Sequence, residues 1–209
     1  MKRLICCSIL VVALVVAARS QAGPVAPSSV PVHDLTIRLY VYDALRLLAK
    51  KFRVVIGVYG VHLGAEDHWV NISVKDGTLG EVFDAVVAQY PQLEWRQAGN
   101  GAVHFTFRDS PLSLLDVTIH SLDAESPGRM EAPGRLAEVP EVAKWLRDHG
   151  CSMGQMVAGA LPAEWERFAL HSRDVPFSAV LDEIEAKSGD YAWSAIQYRA
   201  EPCVINIRP

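Results

Sequence analysis

The chain predicts an α+β protein of two related βαββαββ-type modules, each with two helices packed on small mixed sheets. Three observations carry this. The stretch from Asp76 to Val86 lies over Asp174 to Ile184 without a gap, about 98 residues on, and the register continues to Trp95 and Trp193. An alternating segment precedes each copy (Val70–Val74, Phe168–Ser172) and another follows it (Val103–Phe107, Cys203–Ile207). Apolar spacing switches between the period of a strand and that of a helix along both halves. Self-similarity at this length means two copies of one folded unit, not a short solenoid repeat. The recurring residues are apolar positions and Asp/Trp landmarks, not a reactive constellation. That favours a binding or scaffold protein over an enzyme.

The elements follow in order. Lys2 and Arg3, the uncharged run Leu4–Ala18 and the small-residue exit Ser20-Gln21-Ala22 describe a secretory signal peptide over 1–22. The run is shorter than the ~20 residues that span a bilayer; the competing reading is an uncleaved anchor. Residues 23–33, rich in Pro and Ser, read as a linker. The first module is expected over 34–109. Leu35–Val41 alternates as a strand, and Tyr42–Phe52 carries the helical stripe Leu45, Leu48, Ala49 and Phe52. Val54–Val58 reads as a buried strand and Trp69–Val74 as another. Thr78 and Glu81 form a capping box for a helix buried through Leu79, Val82, Phe83 and Val86, which Pro91 ends. A hairpin then turns at Gly99-Asn100-Gly101.

The second module is expected over 112–209. A strand at Leu115–His120 is interrupted by an inserted surface loop, 123–138, rich in Gly, Pro and Glu. Pro140 opens a helix that Gly150 ends, and Met153–Leu161 fits strand or loop. From Phe168 the first pattern returns: strand, a Pro176-led helix closed at Gly189, and strands at Trp193 and Cys203–Ile207.

The helix Asp43–Phe52, the strand entering Val74–Asp84 and the closing Leu93-Glu94-Trp95 with its hairpin to Ala102–Phe107 give residues 35–107 a family likeness. They resemble the secretin and TonB-receptor short N-terminal (STN) domain family, with a weaker second copy at 112–209. The resemblance implies a periplasmic domain that makes protein contacts, in docking or gating, without catalysis. With no channel or barrel segments after the second module, a pore is not expected.

Composition narrows the partners. Net charge is −4 and no basic cluster follows the leader, so nucleic acid is not expected. Cys151 and Cys203 form an even pair in an exported chain; a disulfide is favoured, and two buried free thiols remain the alternative. No cofactor is expected. His62 and His68, with Glu66 and Asp67 between them, match no compact zinc spacing. Ser110 lacks a nucleophile elbow, and His104, His120 and His171 read as outward strand residues. Asp84 and Asp182, at matching helix positions, are expected to face solvent or hold a loop. Trp95 and Trp193 read as packing residues, which leaves Tyr40, Tyr42 and Trp69 as interface candidates. The expected function is non-catalytic docking to an envelope protein, by strand addition at the edges Leu35–Val41 or Ala102–Phe107. The alternatives are a small periplasmic enzyme or inhibitor that uses the 123–138 loop, and a self-associating structural subunit.

Overall fold

The computed structural model describes residues 26–62, 68–108, 112–124, 132–154, 169–198 and 203–208. They form a mixed α+β protein with five helices, one six-stranded sheet and three two-stranded ribbons. No helix among the described residues is long and apolar enough to cross a membrane. The segment 1–22 lies outside the described residues, as do Glu66, Asp67, Asp109–Pro111, 125–131 and 155–168.

Strands β1 (Pro31–Tyr40) and β3 (Trp69–Thr78) make a long antiparallel ribbon, paired from Pro31↔Thr78 to Tyr40↔Trp69. Alternation turns Leu35, Ile37, Val70 and Ile72 inward, and a break in the alternation at Asp34, with φ 46°, lets Val32 be buried as well. The ribbon begins within the expected linker, because Val32 is buried and the Val30 carbonyl accepts from Leu79 N–H at 2.8 Å. Helix α1 (Val41–Phe52) buries Leu45, Leu48 and Ala49 of its expected stripe, leaves Phe52 half-buried, and closes on Arg53 in the left-handed region. Helix α2 (Leu79–Gln89) starts at the expected capping box: Glu81 N–H donates to Thr78 Oγ1, and Thr78 N–H to Glu81 Oε2 at 2.7 Å. Both helices cover β2 (Ile56–His62), β4 (Leu93–Gln97) and β5 (Val103–Phe107) on one face, around Ile56, Val58, Phe83, Val103 and Phe105.

The second half begins with a 3-10 turn, Ser113–Asp116, where the sequence predicted a strand; only β6 (Thr118–Ile119) and β7 (Leu122–Ala124) are extended. They pair with β10 (Val175–Pro176) and β9 (Leu170–Ser172). The expected surface loop contains helix α3 (Ala132–Ala137), held because Leu136 is buried. Helix α4 (Pro140–Asp148) starts at Pro140, and α5 (Phe177–Ser188) ends on Gly189 at φ 77°, both as expected. Strands β8 (Cys151–Met153), β11 (Ala192–Tyr198) and β12 (Cys203–Arg208) complete the large sheet. Cys151 and Cys203 are joined by a disulfide between neighbouring strands.

The large sheet has the order β4-β5-β2-β11-β12-β8. Strands β5, β2 and β11 run parallel, β4 is antiparallel to β5, β12 is antiparallel to β11, and β8 runs parallel to β12. The two halves therefore share one sheet instead of holding separate ones. Parallel β2–β11 pairing links residues distant in sequence, which periodicity does not reveal. The second core, around Tyr59, Phe177, Leu181, Trp193 and Ile205, lies on the opposite face from the first. One expected edge is corrected here: β5 lies between β4 and β2 with all five residues buried, so it has no open side. A strand buried on both faces reads as continuous, and His104 and Thr106 give it a false alternation.

Candidate functional site

Helix α5 crosses the back of the first half's strands and sets Asp182 at the junction. Trp193 and its neighbour Tyr59 stack at 5.9 Å, with planes 8° apart. Trp193 Nε1–H donates to Asp182 Oδ1 at 2.8 Å, and Asn100 Nδ2 donates to Oδ2 at 2.8 Å. His104 Nε2 approaches the two carboxylate oxygens at 3.1 and 3.0 Å. Asp182 is 3 % exposed and His104 2 %. A tautomer with hydrogen on Nε2, assigned from this network, leaves buried Nδ1 as a bare lone pair; a proton there would have no acceptor. Two expectations are corrected. Asp182 does not face solvent but holds the Asn100 turn, the other expected role, and His104 does not point outward, because the second half supplies its buried partner.

Trp95 makes the matching contact, Nε1–H to Asp84 Oδ1 at 2.8 Å, but at the surface. Other contacts recur in the same way. Phe177 N–H donates to the Val117 carbonyl as Leu79 does to Val30. His33 Nδ1 lies 2.8 Å from Asp76 and His120 Nδ1 2.9 Å from Asp174. The hydrogen bond to Asp174 raises the His120 imidazole above its ordinary value, and His171 lowers the Asp123 carboxyl in a third cross-strand pair. Arg96 donates to Tyr59 Oη at 2.9 Å, while burial pushes the Tyr59 phenol up.

Gly57 lies opposite Trp193 in the β2–β11 register. A Cβ there would come 2.2 Å from Trp193 Cζ2, so this glycine admits the indole. A cleft of about 970 Å³ opens where the halves meet, lined by Arg53, Asn100, His171, Arg173, Asp182 and Tyr191 among others. Arg173 is paired with Asp123 at 3.1 Å, and Asp182 is spent on the three donors above.

Of the interface candidates, the ribbon brings two together. Tyr40 and Trp69 are register partners with ring centroids 4.5 Å apart, exposed by 37 % and 54 %. The site is held by Val41 N–H on the His68 carbonyl at 2.9 Å, and by His68 tilted against Tyr90 at 4.6 Å. Tyr42 is half-buried against the first core and does not join them. Sequence reasoning missed Leu47, which is 44 % exposed on α1 although it sits within an apolar run. It also missed the Asp182 cluster, whose only trace in sequence was an aspartate 11 residues before each tryptophan.

No group of three His, Cys, Asp or Glu side chains that could hold a metal occurs among the described residues. Ser110, Glu66 and Asp67 lie outside them, and nothing is described of the His62 side chain. No family model matches the chain, and no curated protein matches it.

Proposed function

We propose that the chain is an exported, non-catalytic docking protein of the cell envelope that takes a protein partner at the end of the β1–β3 ribbon. The observation that carries this reading is the exposed Tyr40–Trp69 pair. Two large aromatics held side by side on a paired backbone are costly to leave in water, and such residues dominate binding energy at interfaces. Within this reading β1 adds a second element. Among the described residues it pairs only with β3, so its other side is open to an added strand.

Further support comes from what the polar residues do. Asp182, His104, Asn100 and Trp193 bind one another across the junction, and the matched His–Asp and Trp–Asp contacts fit one architecture built twice. The likeness of residues 35–107 to STN domains and the disulfide fit an oxidising, extracytoplasmic setting.

The test compares crosslinked partners recovered from envelope extract with the unmutated chain and with Tyr40→Ser/Trp69→Ser. Circular dichroism should show the same fold for both. The expected result is a partner held by the first and lost with the second. Equal recovery by both would refute the site. Intact mass of the exported chain should show removal of residues 1–22.

A further inference from the structure

We propose that the two edge strands of the six-stranded sheet, which meet no further strand among the described residues, join copies of this chain end to end, with β8 of one copy pairing in parallel with β4 of the next. This does not rest on the Tyr40–Trp69 reading, since the strands concerned belong to a different sheet.

The chain already contains one joint of this kind. Strand β11 meets β2 in parallel, Ile56 N–H donating to the Tyr191 carbonyl at 2.8 Å. Trp193, tied to Asp182 of the preceding helix, lies over β2 where Gly57 leaves room. Strand β4 carries the same equipment: Trp95, tied to Asp84 at the same separation of 11 residues. Yet β4 ends the sheet: among the described residues no strand pairs beyond it, and the Gln97 side chain accepts from Ser28 Oγ at 3.3 Å. Ala98 N–H donates to the Ala102 carbonyl, so antiparallel alternation turns the backbone groups of Trp95 and Gln97 to the open side. Parallel alternation from the Ile56–Tyr191 bond likewise turns Trp193 toward β2.

The far edge is the counterpart of β2. Strand β8 follows a helix and runs parallel to the last strand of its half, as β2 does to β5. Gly154 N–H donates to the Ile205 carbonyl at 2.8 Å, so alternation turns Met153 to the open side. The directions agree. With β2 taken as up, β11 is also up, and both β4 and β8 run down. The halves also bury their cores on opposite faces, so each is turned half a revolution about the lateral axis of the sheet relative to the other. A third half would return to the first orientation. A β8–β4 contact thus repeats the β2–β11 joint in strand direction and in facing.

The edges do not repel one another. Strand β4 offers Glu94 and Arg96, of opposite sign, while β8 is uncharged and clamped to β12 by the disulfide. Two different surfaces meet, so the contact is heterologous and closes only into a ring or extends as a filament.

Sedimentation of the full chain across a wide concentration range tests this. Mass is expected to rise past the dimer, without a plateau for a filament or to a fixed higher multiple of the monomer for a ring. Gln97→Pro removes an outward N–H from β4, and Met153→Pro removes one from β8. Each variant alone should stay monomeric, while an equimolar mixture, with one intact edge of each kind, should stop at the dimer. Should a proline variant fail to fold, hydrogen exchange of the unmutated chain serves instead: the Trp95, Gln97 and Met153 amides should slow as concentration rises. A chain monomeric to its solubility limit, a folded Gln97→Pro that associates like the parent, or concentration-independent exchange at those amides would overturn the proposal.

Discussion

Replacing Asp182 by alanine should cost far more stability than replacing Asp84, although each aspartate holds one tryptophan through a bond of 2.8 Å. Loss of the Asp182 carboxylate strands the Trp193 and His104 N–H groups in the core, while Asn100, at the cleft, can turn to water. A buried donor without a partner costs about 1–3 kcal/mol, so two cost about 2–6 kcal/mol. Against a total of about 5–15 kcal/mol that is a large fraction. Asp84→Ala removes one exposed bond worth about 0.5–1.5 kcal/mol. At a urea slope of about 2 kcal/mol per molar, the midpoint should fall by about 1–3 M for Asp182→Ala and by under about 0.8 M for Asp84→Ala. Asp182→Asn should not rescue, because its amide turns two donors toward groups that are themselves donors. Urea unfolding followed by circular dichroism reads all three. Equal shifts for the two alanine variants, or a shift below about 0.5 M for Asp182→Ala, would refute the account of the junction.

Three other outcomes are expected. Gly57→Ala pushes a methyl into the Trp193 ring and should lower stability by about 1–3 kcal/mol, with a changed tryptophan signal in near-ultraviolet dichroism. Reduction of Cys151–Cys203, or Cys→Ser at both, should cost about 4 kcal/mol for a loop closed over 52 residues, read as a lower denaturation midpoint in reductant. His120 should titrate by NMR above the ordinary imidazole value of about 6.5, and Asp174→Asn should bring it back. Because its folded value is raised, its small contribution is complete below the unfolded value and fades as pH rises through the folded one. Asp123, lowered by His171, behaves oppositely: its contribution holds above the unfolded value and fades as pH falls through the folded one.

Local signals in the sequence carried much of this. Thr78 with Glu81, Pro140 and Gly189 mark helix ends through groups that lie within a turn of each other, and all three act as read. The cysteine pair was legible because few alternatives exist for two thiols. What the sequence hid depends on distant neighbours. His104 looks like the wet side of a strand until Asp182 of α5 and Trp193 of β11 arrive to cover it. Asp182 and Asp84 occupy matching positions, yet one is buried and the other is not, because only the second half has a preceding half to lean on. The Tyr40–Trp69 pair was half legible: each residue stood out singly, and only the ribbon register made them one patch.

The parallel seam between β2 and β11 bears on how the chain folds. A ribosome delivers Ile56 long before Ala192, the residue it must lie beside. Until then the nascent first half holds a bare central strand and an empty niche over Gly57. Closing contacts so remote is slow, and such unfinished strands are hazardous in crowded solution. A gene truncated near residue 110 should therefore yield insoluble product, and holding the polypeptide extended until it is complete would favour its survival.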